Sequence, residues 1–307
     1  MTTAPNIGFI GLGFMGHGMA ANLRRQGFAV TVMAHRKREA VDDLVRRGAT
    51  EATTPAEMAS CSDIVILCVT GSKEVEALVR GHKGLASTAR PGLVIVDCTT
   101  SDPSTLLSLA ADYESHGILF VDAPLGRSPR EAWEGRLSTM VGGDADVVKR
   151  ILPVLSAFAT TIQHVGPLGN GHRLKLVNNF ISLGLAVLYS EALVMALKAG
   201  LTTEAFDDLV RSSRMHCAFY DTFLGWVRDG DADSHRFALS TALLAMSDVA
   251  ALAKSVNLKS RLAAGILDVY RQAVAVGDGE AMLPQLPRSV AKENDIELIP
   301  AAVRPSA

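Results

Sequence analysis

Through the first half of the chain, short apolar runs alternate with stretches of helical spacing. The runs at 6–10, 29–33, 64–69, 93–97, 119–121 and 138–142 predict strands. The spacing between them predicts helices over 15–26, 37–47, 55–59, 72–80, 104–115 and 145–158. Ser72 and Ser104 are the expected N-caps, with Asp102 and Pro103 leading into the second. Regular strand–helix alternation implies an α/β unit, a doubly wound, mostly parallel sheet with helices on both faces. After a further apolar run at 161–165 and the Gly-Pro-Leu-Gly-Asn-Gly stretch at 166–171, the pattern becomes helical. Helices are expected from about 173 to 197, with Gly200 as the stop, and at 203–211, 242–255 and 260–276. The expected division is therefore 1–166 for the α/β part and 167–307 for an all-helical part, with a peripheral tail after Pro284.

The first strand runs straight into Gly11, Gly13 and Gly16, in G-x-G-x-x-G spacing, and then into a helix. A dinucleotide site asks for this order. Gly11 permits the tight turn, Gly13 lets the backbone approach a pyrophosphate, and Gly16 lets helix and strand pack closely. The helix N-terminus offers free N–H groups and a positive dipole end. Leu12, Phe14 and Met15 complete this cofactor loop.

Composition narrows the classes. Of 307 residues 48% are apolar, enough for a large core without staples. A net charge of −2 and the absence of a long like-charge run argue against nucleic acid or an anionic membrane as partner. The cysteines Cys61, Cys68, Cys98 and Cys217 form no C-x-x-C pair, and no metal-ligand spacing is present; neither His172 nor His216 has a partner at i+4. No signal-peptide pattern opens the sequence, so a reducing cytoplasm is expected. The apolar stretch 174–197 is interrupted by Lys175, Asn178, Asn179 and Glu191, which reads as a long buried helix rather than a membrane span.

The second strand bears on which dinucleotide is held. A NAD site usually carries an acid at its end. Here the run continues as Ala34-His35-Arg36-Lys37-Arg38. Such a cluster suits a 2′-phosphate through charge-assisted hydrogen bonds, so NADP is expected over NAD, with NAD still possible. Lys37 and Arg38 also read as solvated residues of the following helix.

Four blocks, in order, carry a resemblance. They are the fingerprint at 8–27, VDCTTSDP at 96–103, FVDAPLGRSPREAWEGRLSTMVGG at 120–143 and GHRLKLVNNF at 171–180. Together they resemble the β-hydroxyacid dehydrogenases, the 3-hydroxyisobutyrate dehydrogenase family, relatives of 6-phosphogluconate dehydrogenase. The resemblance implies a Rossmann-like domain joined through a long helix to an all-helical domain, with an active site in the cleft between them. It also implies a homodimer or homotetramer, and places Val69, Thr70 and Thr99 beside the cofactor.

Lys175 and Asn179 are four apart on a helix and share one face, with Asn178 alongside. A lysine near a cofactor can give a proton to a carbonyl oxygen as hydride reaches carbon, and take it back in the reverse direction. The resemblance makes Lys175 the acid/base, assisted by Asn179. The family's Ser-Gly-Gly loop is replaced by Gly126-Arg127-Ser128, similar to the sulfolactaldehyde reductase branch. A guanidinium there can grip a sulfonate or carboxylate. Arg127 could instead face solvent or Glu131. A late Lys-Asp pair typical of the family falls on Leu244 and Ala245, or on Ser247 and Asp248, so its lysine is missing; Arg127, Arg214 or His216 are candidates to compensate. The expected function is an NADP(H)-dependent oxidoreductase of a small anionic aldehyde or hydroxy acid. The alternatives are an imine-directed relative, against which the presence of Lys175 argues, and a dinucleotide binder without turnover.

Overall fold

A computed structural model describes residues 4–35 and 37–303. Contacts divide the chain into two compact units, one ending at Lys175 and one beginning at Leu176.

The first unit is built on a nine-stranded sheet. Its strands are β1 (Ile7–Ile10), β2 (Val30–Val32), β3 (Thr50–Glu51), β4 (Ile64–Leu67), β5 (Val94–Asp97), β6 (Leu119–Asp122), β7 (Leu125–Gly126), β8 (Leu137–Gly142) and β9 (Ala159–Gly166). The order is β3-β2-β1-β4-β5-β6-β8-β7, with β9 on β8. From β3 to β6 every pairing is parallel. The chain goes one way from β1 to β2 and the other way to β4, so the switch point lies at the end of β1, where ligands bind in open α/β sheets.

The central strands read as continuous apolar runs because both faces are covered. Side chains alternate: Ile7, Phe9, Ile64, Ile66, Val94 and Val96 join one core. Ile10, Val65, Leu67 and Ile95 join the other. Helices α1 (Gly16–Arg25), α2 (Glu39–Arg46), α6 (Pro129–Glu134) and α7 (Ala145–Leu155) cover the first face. Helices α3 (Pro55–Cys61), α4 (Ser72–Arg80) and α5 (Pro103–Tyr113) cover the second.

Several expectations are revised. Strands β3 and β7 were not predicted, being two residues each and too short to show a period. Strands β7 and β8 pair antiparallel, as do β6 and β8, so the far edge departs from a parallel sheet. Ser104 is not the cap of α5; Asp102 is, accepting the Ser104 N–H at 2.9 Å. Ser72 does not cap α4 either; Gly71 stands there, and the Ser72 hydroxyl accepts the Asp102 N–H at 2.9 Å.

The second unit is helical: most of α8 (Asn170–Lys198), then α9 (Thr203–Ser212), α10 (Ala218–Phe223), α11 (Gly225–Asp229), α12 (Leu239–Ser255), α13 (Arg261–Ala273) and α14 (Leu286–Glu293). Its core gathers Leu183, Leu193, Tyr220, Phe223, Met246 and Tyr270. The buried Tyr270 hydroxyl donates to the Leu183 carbonyl at 2.9 Å. The stretch after Pro284 is not peripheral: Leu286 and Ala291 are fully buried, because α14 closes the core. Nor is α8 buried throughout. Leu183, Val187 and Val194 face the core, while Val177, Ile181, Leu188 and Met195 are exposed. By length and composition alone α8 could cross a bilayer.

The compact first unit takes in the start of α8, as far as Lys175. The reason is the buried Asp122 carboxylate at the end of β6. It accepts the Gly169 N–H at 2.7 Å and the His172 N–H at 2.6 Å, fastening the start of α8 to the sheet.

Candidate active site

The turn after β1 has little freedom. Gly11 adopts φ +100°, and a Cβ there would lie 2.1 Å from the Cys68 carbonyl oxygen. A Cβ on Gly16 would lie 1.9 Å from the Gly11 carbonyl oxygen. Around Gly13, by contrast, a Cβ would meet nothing within 4 Å. No side chain caps α1; within its first turn the His17 N–H donates to the Gly13 carbonyl at 3.1 Å and the Met19 N–H to the Met15 carbonyl at 3.2 Å. Leu12 and Met15 are half-buried, Gly16 is buried, and Phe14 is exposed. This is the shape a pyrophosphate requires: open over the middle glycine, at the start of a helix that no side chain caps. The loops after β4 and β5 are tied together beside it. Thr99 Oγ1 accepts the Val69 N–H at 3.1 Å, and the Thr99 N–H donates to Asp97 Oδ1 at 2.9 Å. Thr70 is exposed next to Val69.

Beyond β2, His35 and Lys37 are exposed, and Arg36 lies outside the described residues. Arg38 is engaged elsewhere. Its guanidinium grips Glu51 at 3.1 and 3.0 Å and Asp42 at 3.1 Å, which makes it part of the surface of α2.

The block after β6 folds onto the cofactor helix. Asn22 of α1 is buried and donates to the Ala132 and Trp133 carbonyls at 2.7 and 3.3 Å, closing the end of α6. Gly18 permits the approach, since a Cβ there would lie 2.8 Å from the Trp133 nitrogen. The loop Gly126-Arg127-Ser128 at the other end of α6 is thereby held to α1. Within it, Ser128 has a different job from the one expected. It is the N-cap of α6 in a capping box with Glu131. Its N–H donates to Glu131 Oε2 at 3.0 Å, and its hydroxyl donates to the same oxygen. That hydrogen bonding holds the Glu131 carboxyl below its ordinary range. A hydroxyl committed to a carboxylate is poorly placed to receive a second anion. Arg127 is exposed at φ +76°, a left-handed conformation that costs a non-glycine about 1 kcal/mol. Its Nη1 donates to the Arg136 carbonyl and lies 3.5 Å from Thr160 Oγ1; it does not pair with Glu131.

Lys175 lies in the second turn of α8. Its side chain is half-buried, and loss of hydration pushes the ammonium from 10.5 down to about 8. Asn178 is exposed, whereas Asn179 is buried and its Nδ2 has no hydrogen-bond partner among the described residues. An amine titrating near 8 can both give and take a proton at neutral pH.

Sequence reasoning assigned no role to three buried groups beneath this turn. Asp97, Asp122 and His172 are all fully buried. Both acids stood in motif blocks, but their partners come from distant segments. Of the residues considered as substitutes for the late lysine, His216 is paired with Asp221 at 2.9 Å. At the late pair's own positions, Leu244 is exposed and Ala245 buried, while the Ser247 hydroxyl returns to the Leu243 carbonyl at 2.8 Å.

Residues 6–166 match the family model described as the NAD binding domain of 6-phosphogluconate dehydrogenase. Residues 169–286 match the one described as NAD-binding of NADP-dependent 3-hydroxyisobutyrate dehydrogenase. The chain is 37% identical to 2-(hydroxymethyl)glutarate dehydrogenase of Eubacterium barkeri, over 69% of this chain and 70% of that one. It is 31% identical to 3-sulfolactaldehyde reductase of Escherichia coli (strain K12), over 89% and 91%. The fold is that of Mycobacterium tuberculosis 3-hydroxyisobutyrate dehydrogenase, with a TM-score of 0.81 at 24% identity, covering 94% of this chain and 99% of that one. With the glycine turn, the lysine helix and both family models in register along one chain, this protein belongs to the β-hydroxyacid dehydrogenase family of NAD(P)-binding oxidoreductases that act on CH–OH groups.

Proposed function

We propose that the protein reduces a small anionic aldehyde with NADPH, and oxidises the matching hydroxy acid in reverse. The observation that carries this reading is Lys175, an amine brought to about 8 on a helix whose first turn is fastened to the sheet at the end of β6. The bound dinucleotide supplies or accepts hydride at its nicotinamide ring. In reduction, the Lys175 ammonium gives its proton to the oxygen that gains charge; in oxidation the neutral amine takes it back. The Asn179 amide, with an uncommitted Nδ2, orients the same oxygen, and Asn178 assists.

An anionic substrate is supported by Gly126 and Arg127, and by the names of two relatives, which denote a sulfonate and a dicarboxylate. In this reading the Gly126 main chain and the Arg127 guanidinium hold the anion, and Ser128 contributes by capping α6. NADP over NAD is supported by exposed His35 and Lys37 where an acid usually stands, and by the family model for an NADP-dependent enzyme. The exposed apolar face of α8 supports a homodimer or homotetramer; light scattering of the purified chain tests the assembly, and a monomer would refute it.

A second reading, a dinucleotide binder without turnover, is favoured by one observation: no lysine stands at the late pair's positions on α12. One experiment separates the two. NADPH oxidation is followed against sulfolactaldehyde, tartronate semialdehyde, succinic semialdehyde and methylmalonate semialdehyde, each repeated with NADH. Turnover with one of them, faster with NADPH and reduced about 100- to 10,000-fold in Lys175→Ala, supports the reductase. Tight NADPH binding with no turnover on any of them supports the binder.

A further inference from the structure

His172 is held twice at the start of α8. Its main-chain N–H donates to Asp122 Oδ2 at 2.6 Å, at the end of β6. Its ring faces the end of β5, with Nε2 3.5 Å from Asp97 Oδ2. Both side chains are fully buried, and neither ring nitrogen has a hydrogen-bond partner among the described residues. Asp97 is otherwise supported by the Thr99 N–H at 2.9 Å and by the Ser101 hydroxyl at 3.4 Å. The remaining titratable groups here are Asp122, Cys98 after Asp97, Cys68 at the end of the neighbouring β4, and Lys175 on the same helix.

A buried imidazole with two polar atoms to satisfy is a poor filler, because an apolar side chain of similar shape avoids the desolvation. Its value lies in the carboxylate it faces, which a shift of a fraction of an ångström brings into hydrogen-bond range. Residues 172 and 175 are three apart, neighbours on one helix face. Whatever fixes the first turn therefore fixes the backbone from which Lys175 extends.

We propose that His172 is a positioning residue for the acid–base lysine: its imidazole locks onto Asp97, seats the first turn of α8 on the ends of β5 and β6, and so sets the burial and aim of Lys175. The proposal rests on the reading of Lys175 given above.

The test follows Lys175 directly, without needing the substrate. Full-length protein carrying ¹⁵N-lysine is titrated by NMR, with the Lys175 Nζ signal assigned from Lys175→Arg. The expected midpoint is about 8 in the unaltered protein. In His172→Leu, folded by circular dichroism and NADPH binding, it rises toward the ordinary 10.5 as the ammonium regains water; His172→Gln, which still reaches Asp97, returns it toward 8. With an aldehyde from the panel, His172→Leu lowers kcat on the order of 100-fold with KM little changed, and His172→Gln recovers most of it. Should His172→Leu fail to fold, Asp97→Leu removes the same lock at similar volume, with the same expected shift. A folded His172→Leu or Asp97→Leu protein in which Lys175 still titrates near 8 overturns the proposal. Undiminished turnover in Lys175→Ala overturns instead the lysine reading on which it rests, and the titration distinguishes the two.

Discussion

Asp122→Asn tests how the lysine helix is held. The carboxylate is fully buried, and its two oxygens accept one N–H each, from Gly169 at 2.7 Å and from His172 at 2.6 Å. Asparagine keeps the shape but offers one oxygen and one NH₂ group, so one backbone N–H meets a donor. Rotation offers no escape, since the walls are Gly142 and Gly171, at which even a Cβ would come within 2.4 and 2.8 Å of the carboxylate oxygens. Losing one charge-assisted hydrogen bond costs about 2 kcal/mol, and the stranded N–H costs about 2 more. Opening of this turn becomes easier by about 4 kcal/mol, roughly 1000-fold in the opening equilibrium. Native-state hydrogen exchange reads this at the Gly169 and His172 amides, with amides of α13 as an internal reference. Protection at both amides within about tenfold of the unaltered protein would refute the argument, since it would mean Asp122 contributes little to seating α8.

Other outcomes follow from the same geometry. With Lys175 as the proposed acid, aldehyde reduction has its highest kcat below about pH 8 and falls as pH rises through that value, while oxidation of the hydroxy acid rises over the same range; parallel profiles in the two directions would remove Lys175 from proton transfer. Gly16→Ala places a methyl 1.9 Å from the Gly11 carbonyl oxygen, so thermal stability and NADPH affinity fall together. Gly13→Ala meets open space, so the melting temperature holds while NADPH affinity falls; fluorescence titration and a thermal melt distinguish the pair, and equal behaviour would contradict the assigned roles.

The geometry of the glycine turn was legible because its logic is local. The strand, turn and helix of residues 7–25 form one contiguous segment, and the clearances at Gly11 and Gly16 arise within it or against the neighbouring strand. Lys175 and Asn179 needed only the helical repeat to share a face. The capping role of Ser128 was not read from the sequence, because a serine after Gly-Arg does not by itself mark a helix start. Only the returning Glu131 side chain, three residues on, decided for the cap.

By itself, then, the sequence determined the alternation of elements, the doubly wound unit, the glycine turn and the helical second unit, because period, glycine placement and helix spacing act over a few residues. The tertiary structure decided what depends on segments far apart in the chain. The two-residue strands exist through their neighbours. Arg38 belongs to Glu51 rather than to a ligand. The helix after Pro284 is core because other helices leave it a place. The start of α8 belongs to the sheet because Asp122, some 50 positions upstream, accepts the Gly169 and His172 N–H groups. Hydrogen bonds and burial are set by distance in space, and along the chain that distance is not written.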